Sequence, residues 1–195
     1  MTSIDQVQGP VSQGIRIGGK PVVGTYRTWL PNGYYDISIT IPANRMFVSL
    51  FFVPIDVLFS QVSYTCNSMA PPATVSGIWI GVYDYNGVLL FRGHGSAFIP
   101  PPPTRIVYSL AISGRLPQGM YYAAACSDGT DADDPSIYCL GQMEVHALAE
   151  DAGATLKKYT GELALVPPGV LPDSFDPTLL TYVWQSIGPA LRFDL

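Results

Sequence analysis

Residues 77–91 read GIWIGVYDYNGVLLF and residues 116–129 read LPQGMYYAAACSDG, and these two segments set the pattern of the chain. The Asn86-Gly87 pair stands between β-branched and aromatic residues, which is a strong short-range signal for a β-hairpin. We predict a type I′ turn there, with positive φ at both residues. The Pro-x-Gly step in the second segment predicts another turn, followed by a strand over residues 120–126.

Two kinds of strand pattern occur along the chain. Apolar and polar residues alternate at 37–41, 61–66 and 105–113, which predicts strands with one solvent-facing side. Residues 47–53 and 78–83 are instead apolar at successive positions, as expected of central strands covered on both faces. The two kinds together predict two packed sheets. The fold class that follows is all-β, an antiparallel and jelly-roll-like β-sandwich.

The second half of the chain is less regular. Residues 191–195 alternate, and we predict a terminal strand docked on a sheet edge. The segment 138–148 also alternates, so a strand is favoured there over a helix across 144–158. Four consecutive prolines at 100–103 cannot pair in a ladder and predict a stiff polyproline II connector.

The first 33 residues differ from the rest because they are rich in glycine and polar residues and show little periodicity. Such a segment seldom packs a core of its own, so we interpret residues 1–33 as an extended arm for assembly or attachment. Residues 34–195 then form the sandwich domain. Trp29, Tyr34 and Tyr35 are aromatic residues of the kind that interfaces favour, and we predict that they anchor assembly; capping the core is an equally open alternative.

Composition restricts the classes of partner. Charged residues make up 13% of the 195 residues and apolar residues 48%. An average soluble domain has about 25% charged residues, so we predict that part of the exterior is buried against other subunits. The net charge is −5 and Lys and Arg form no cluster, which argues against nucleic-acid binding. The start lacks a secretory-signal pattern and no apolar run is long enough to span a bilayer, so we expect synthesis in the cytoplasm without membrane insertion.

The three cysteines, Cys66, Cys126 and Cys139, are an odd number at no metal-like spacing. Each falls in or beside an apolar strand pattern, so we expect buried free thiols. A disulfide between Cys126 and Cys139 is the main alternative.

Four segments carry a resemblance to a known family: Tyr34-Tyr35, IPANRMF at 41–47, the hairpin at 80–87 and the strand at 116–122. Together they resemble β-sandwich domains of tailed-bacteriophage structural proteins, which show a Gly-[Ile/Val]-Tyr-Asp hairpin followed by a Leu-x-x-Gly-x-Tyr-Tyr strand. The similarity covers about residues 34–195. It implies a structural protein on the virion exterior, either a short tail or baseplate appendage or a capsid decoration, that meets other virion proteins and host-surface glycans. With the low charge, it leads us to expect a homo-oligomer, with a trimer favoured.

Two other function classes stay open. A free carbohydrate-binding module would bind glycans as a monomer without needing the arm. A hydrolase would need a pair of carboxylates, for which the acidic loop and Glu144 could be nominated. We expect no enzyme, because His94 and Ser96 lack a nucleophile-elbow pattern and His146 has no second histidine at metal spacing.

The loop after the 116–129 segment is acidic. Its carboxylates are the hard oxygen ligands that calcium prefers, and they belong to Asp128, Asp131, Asp133 and Asp134. The loop does not have EF-hand spacing and lacks the closing glutamate, so a solvated loop is the other interpretation. We expect no cofactor other than this calcium.

Exposed tyrosines can stack on sugar rings. We therefore predict a glycan platform formed by four residues of the hairpin and the following strand: Tyr83, Tyr85, Tyr121 and Tyr122. The alternative is that these rings are core residues or cross-strand pairs, which is common for alternating aromatics in strands.

Overall fold

The structure is a computed structural model that describes residues 25–27, 36–41, 44–53, 55–67, 77–96, 105–128, 136–141, 160–165, 167–181, 187–189 and 191–194. These residues form strands joined by turns, with a short 3-10 helix at Pro177–Leu179. The strands, in chain order, are β1 (Thr25–Arg27), β2 (Asp36–Thr40), β3 (Arg45–Val53), β4 (Val57–Phe59), β5 (Gln61–Asn67), β6 (Gly77–Asp84), β7 (Leu89–Ser96), β8 (Arg105–Leu110), β9 (Gly114–Leu116), β10 (Gly119–Ser127), β11 (Ser136–Gly141), β12 (Thr160–Ala164), β13 (Ile187–Pro189) and β14 (Arg192–Asp194).

The described strands form two main sheets in which every pairing is antiparallel. The seven-stranded sheet has the order β1-β14-β5-β11-β13, with β2 also paired to β11 and β8 to β5. The five-stranded sheet has the order β12-β3-β10-β6-β7, and β4 pairs with β9 in a small ribbon. The predicted all-β, antiparallel sandwich is therefore confirmed.

A single apolar core fills the space between the two main sheets. Phe193 of the seven-stranded sheet stacks on Phe51 of the five-stranded sheet, with ring centroids 6.0 Å apart. It also meets Phe59 edge-on at 5.1 Å, which ties the small β4-β9 ribbon to the same core. Aromatic rings bury large areas and prefer such tilted or offset contacts, so these rings hold the two layers in register.

The five-stranded sheet is buried on both faces over much of its area, as its continuous apolar runs predict. Met46, Val48 and Leu50 of β3 face away from the main core, yet they are at most 7% exposed. They are buried because residues 171–181, here called the covering segment, cross the outer face of the sheet. The covering segment places Leu171, Phe175 and Leu180 over that face, where they form a second apolar core with the outward-facing side chains of β3.

Backbone hydrogen bonds fix the covering segment at both ends. Leu89 N–H donates to Asp173 O and Phe175 N–H donates to Gly87 O, both at 2.9 Å. At the other end, Glu162 and Thr181 exchange a pair of backbone hydrogen bonds. The segment therefore runs from the β6-β7 hairpin to the β12 edge of the sheet.

The β6-β7 hairpin is confirmed, but the predicted type I′ turn is wrong. Gly87 has φ +79°, whereas no non-glycine residue in the described part of the chain has positive φ, so Asn86 is excluded from the left-handed region. Gly87 N–H donates to Asp84 O at 3.0 Å, which closes a type I turn followed by a left-handed glycine. The Asp84 carboxylate selects this turn because its Oδ1 accepts from the N–H groups of Asn86 and Val88.

Two details of the seven-stranded sheet differ from expectation. The terminal strand β14 does not lie on an edge, because it pairs with β5 on one side and with β1 on the other. Ser63 of β5, predicted to face solvent, is 1% exposed. Its hydroxyl lies within hydrogen-bond distance of Ser109 Oγ, at 2.8 Å, and of Asp194 Oδ2, at 3.1 Å. These polar neighbours replace the solvent that was expected to contact Ser63.

Several expectations fall outside the described residues, in whole or in part. Residues 1–24 of the arm, the prolines at 100–103 and the segment 142–158 are among them. Within the predicted arm, β1 pairs with β14 of its own chain; the division at residue 33 stays a prediction. No helix among the described residues has the length and apolar character to cross a membrane.

Candidate functional site

The four tyrosines of the predicted glycan platform do not share an open surface. Tyr83 and Tyr122 are 0% exposed, Tyr121 is 8% exposed, and Tyr85 is 41% exposed. Tyr121 belongs to the core between the sheets, whereas Tyr83 and Tyr122 belong to the second core under the covering segment. This corrects the platform prediction, because a ring closed to solvent has no face to offer a sugar.

The buried tyrosines are held by ring contacts and by their hydroxyls. Phe175 of the covering segment meets Tyr83 edge-on at 5.0 Å and Tyr122 at 5.5 Å. The Tyr83 hydroxyl donates to Pro172 O at 2.8 Å, and burial raises its pKa well above the ordinary value. The Tyr121 hydroxyl donates to Pro117 O, and burial raises its pKa as well.

The strand register places two rows of side chains on the outer face of the five-stranded sheet. The row under the covering segment, here called the covered row, consists of Leu50, Tyr122 and Tyr83. The next row on the same face, here called the open row, consists of Phe52, Met120 and Tyr85. Phe52 and Met120 are direct cross-strand partners, and Tyr85 follows Asp84, which is paired to Tyr121.

The open row is exposed because the covering segment crosses the sheet beside it. Phe52 is 48% exposed, Tyr85 is 41% exposed and Met120 is 37% exposed. Tyr85 stacks on Tyr122 of the covered row, with ring centroids 6.3 Å apart and planes within 4°. Of these three residues the sequence predicts only Tyr85 as a binding residue, because Phe52 lies in a run typical of a strand covered on both faces.

A polar cluster lies on the same outer face, near the opposite end of the sheet. His94 Nε2 lies 2.5 Å from Asp128 Oδ2, and the His94 ring tilts against Trp79 with centroids 4.8 Å apart. Arg92 stands over the same indole at 5.7 Å and donates to Leu171 O at 2.6 Å. The sequence contains no pattern that pairs His94 of β7 with Asp128, because three strands, β8 to β10, lie between them along the chain.

Gly77 makes room for this histidine–carboxylate pair. A Cβ at position 77 would lie 2.0 Å from His94 Nε2 and 2.9 Å from Asp128 Oδ2, so a side chain there would displace the pair. A carboxylate beside an imidazole can orient the ring, which is one part of a general-base site.

The Cys126 thiol on the same sheet face does not complete such a site. Cys126, Trp79 and His94 occupy one cross-strand row, so the indole stands between the sulfur and the imidazole. Cys126 is a free, fully buried thiol, and burial raises its pKa to about 12, with a smaller contribution from Asp128. The thiolate is the reactive form, so this sulfur is inert at neutral pH. At Cys126 the expected buried free thiol is confirmed, and the alternative Cys126–Cys139 disulfide is contradicted. The free thiols expected at Cys66 and Cys139 stay predictions.

The acidic loop is described only at its first carboxylate. Asp128 is engaged by His94, and the described residues contain no group of three or more His, Cys, Asp or Glu side chains able to hold a metal. The remaining predicted ligands, Asp131, Asp133 and Asp134, lie outside the described residues. Calcium binding by this loop stays a prediction.

The other sequence candidates lie outside the described part of the chain. These are the predicted assembly anchors Trp29, Tyr34 and Tyr35, together with Glu144 and His146. Their roles stay predictions.

Comparison with known proteins adds no assignment. No protein-family model matches the chain, and a search of curated proteins finds no significant match.

Proposed function

We propose that this chain is a structural protein of a bacteriophage virion, displayed on the particle exterior as a short tail or baseplate appendage or as a capsid decoration. Support comes from the resemblance of the hairpin and the Tyr-Tyr strand to such domains, and from the all-β sandwich fold that the resemblance implies. In this role the sandwich assembles as a homo-oligomer, with a trimer favoured, meets other virion proteins and contacts host-surface glycans.

The observation on which the proposal rests is that large apolar side chains remain exposed on the surface, outside the two buried cores. The sandwich already encloses two apolar cores, yet several large apolar side chains remain on different surfaces, among them Leu58 at 69%, Leu179 at 63% and Val107 at 52% exposure. Single exposed apolar residues are ordinary, but here charged residues form only 13% of the chain. A surface with so few charges is better suited to burial against neighbouring subunits than to permanent solvation.

The test is the mass of the full-length protein in solution, measured by light scattering coupled to size-exclusion chromatography. We expect a discrete oligomer at micromolar concentration, and co-sedimentation with phage particles when the chain is expressed during infection. A monodisperse monomer that shows no affinity for particles would contradict the proposal.

The second candidate function is a free carbohydrate-binding module, which the open row favours because it exposes two aromatic side chains on one sheet face. The two candidates differ in one measurable respect. A module binds glycans as a monomer and never enters particles, whereas the virion protein is recovered with particles whether or not a glycan is present.

A further inference from the structure

We propose that the open row is a binding platform for an extended β-1,4-linked pyranose chain. The inference deepens the proposed contact with host-surface glycans and rests on it for its biological setting. The site consists of Phe52, Met120 and Tyr85, each between 37% and 48% exposed. It replaces the platform expected from the sequence, of which only Tyr85 is open to solvent.

The spacing of the row fits such a chain. Phe52 lies on β3 and Tyr85 at the end of β6, with β10 and its Met120 between them. Two strand spacings, about 9.5 Å, separate the backbone positions of the two aromatic residues across the sheet. In an extended β-1,4-linked chain every second ring presents the same face, at a comparable repeat. The two aromatic side chains can therefore contact alternate sugar rings, while Met120 contacts the ring between them.

The platform is preorganised at its Tyr85 end. The Tyr85 ring is parallel to Tyr122, which is itself fully buried against Phe175. The turn that carries Tyr85 is fixed by two hydrogen bonds to Asp84 Oδ1 and by the backbone bond from Gly87 N–H to Asp84 O. A ring held in place before binding loses little conformational entropy on contact, which favours affinity.

The size and borders of the row favour a saccharide over a protein partner. A specific protein interface buries about 800 Å² on each partner, which three half-exposed side chains cannot supply. The covering segment closes one side of the row. At the start of β10 the chain comes from the exposed turn residue Gln118, whose N–H donates to Asp56, the ion-pair partner of Arg115. Such an arrangement suits a sugar, because the apolar side chains can contact the apolar face of a sugar ring while the polar groups hydrogen-bond to its hydroxyls.

The test uses the full-length protein with cellohexaose and chitohexaose as probes, measured by isothermal titration calorimetry and saturation-transfer NMR. We expect the wild type to bind at least one probe. Phe52→Ala and Tyr85→Ala should each weaken binding by about 3- to 10-fold, the range that loss of one aromatic contact implies. Tyr85→Phe keeps the ring and should bind like the wild type. The corresponding disaccharide should bind at least several-fold more weakly, because it reaches only one of the two rings.

Leu58→Ala and Val107→Ala are matched controls, since both remove exposed apolar side chains elsewhere on the surface. They should leave binding unchanged, and a single cooperative thermal unfolding transition well above the assay temperature would show that each variant is folded. The inference would be overturned if neither probe bound. It would also be overturned if Phe52→Ala and Tyr85→Ala left the affinity for the probes unchanged. A change in oligomer mass in the row variants without any sugar binding would likewise overturn it, because it would identify a protein contact. The proposed function is judged separately, by the mass and particle association of the wild type without sugar.

Discussion

The covered row and the open row stand two residues apart on the same strands and the same sheet face, yet their environments are opposite. Tyr122 of the covered row is 0% exposed, whereas Phe52 of the open row is 48% exposed. Strand alternation assigns both rows to one face and makes them equivalent. The difference comes from the covering segment, which crosses one row and stops short of the other. Coverage by an irregular segment, and not the strand pattern, decides which aromatic residues are core and which are surface.

The largest expected effect is at the centre of the covered row. Tyr122→Ala removes a fully buried ring that contacts Phe175 and supports Tyr85, so it should leave a cavity that the surrounding strands cannot close. We expect the free energy of unfolding to fall by about 3 to 5 kcal/mol, as for other large buried aromatic residues. Urea denaturation followed by tryptophan fluorescence measures the change.

Phe52→Ala is the matched variant in the open row. Because this ring is about half exposed, we expect a loss of about 1 kcal/mol or less. Similar losses for Tyr122→Ala and Phe52→Ala would mean that the covering segment does not separate the two rows in solution.

After Tyr122→Ala, the next largest effect is expected where the hairpin supports the covering segment. Gly87 has φ +79°, and a Cβ there would lie 2.0 Å from Phe175 O. Gly87→Ala therefore combines backbone strain with displacement of the covering segment, and we expect a loss of about 1 to 3 kcal/mol. Thermal unfolding by circular dichroism measures it, and Gly87→Val should be at least as damaging because its side chain is β-branched.

Gly119→Ala is the control for this prediction. Gly119 has no positive φ, and a Cβ there would meet its nearest atom, Tyr121 Oη, at 3.4 Å, which is close to ordinary contact. We expect a change within about 0.5 kcal/mol. If Gly87→Ala proved as mild as Gly119→Ala, the left-handed glycine would not be what joins the hairpin to the covering segment.

The sequence predicts the strands of the five-stranded sheet well because their signal is local. Continuous apolar runs identify β3 and β6, and Asn86-Gly87 identifies the hairpin between β6 and β7. The turn type could not be predicted in the same way. It depends on the Asp84 carboxylate accepting two backbone bonds and on Phe175, which is far along the chain, donating to Gly87 O.

The candidate site could be predicted only in part, because burial on the outer face depends on the covering segment. In the sequence that segment is an irregular, Pro-rich crossing whose apolar residues follow no period, so nothing assigns it to Tyr83 and Tyr122. Glycines within strands could have indicated which part of the sheet is covered, because such glycines often mark a close approach of another chain segment. A Cβ at Gly81 would lie 2.8 Å from Leu171 Cδ1, and one at Gly161 would lie 2.7 Å from Thr181 O.

The smallest expected effect concerns Asp56, which fixes the turn leading into the open row. Its Oδ1 accepts a hydrogen bond from Gln118 N–H at 2.9 Å, and its Oδ2 pairs with Arg115. The bond from Arg115, followed by that from Gln118, lowers the pKa of Asp56 below its ordinary 3.8. Because the folded-state pKa is the lower one, these contacts stabilise the folded chain above about pH 3.8 and are lost as the pH falls through the folded-state pKa.

We therefore expect acid to loosen the border of the open row while the covered row stays intact, with no effect of this group near neutral pH. A carbon-detected NMR titration of the Asp56 carboxyl measures it. The wild-type midpoint should lie below 3.8, and Arg115→Ala should move it upward, though not fully to 3.8, because the Gln118 bond remains. Arg92→Ala removes an arginine that contacts the covering segment instead, so it should leave the Asp56 midpoint unchanged. Equal midpoints for the wild type and Arg115→Ala would show that the ion pair does not hold this border in solution, and the open row would then be shaped by the turn backbone alone.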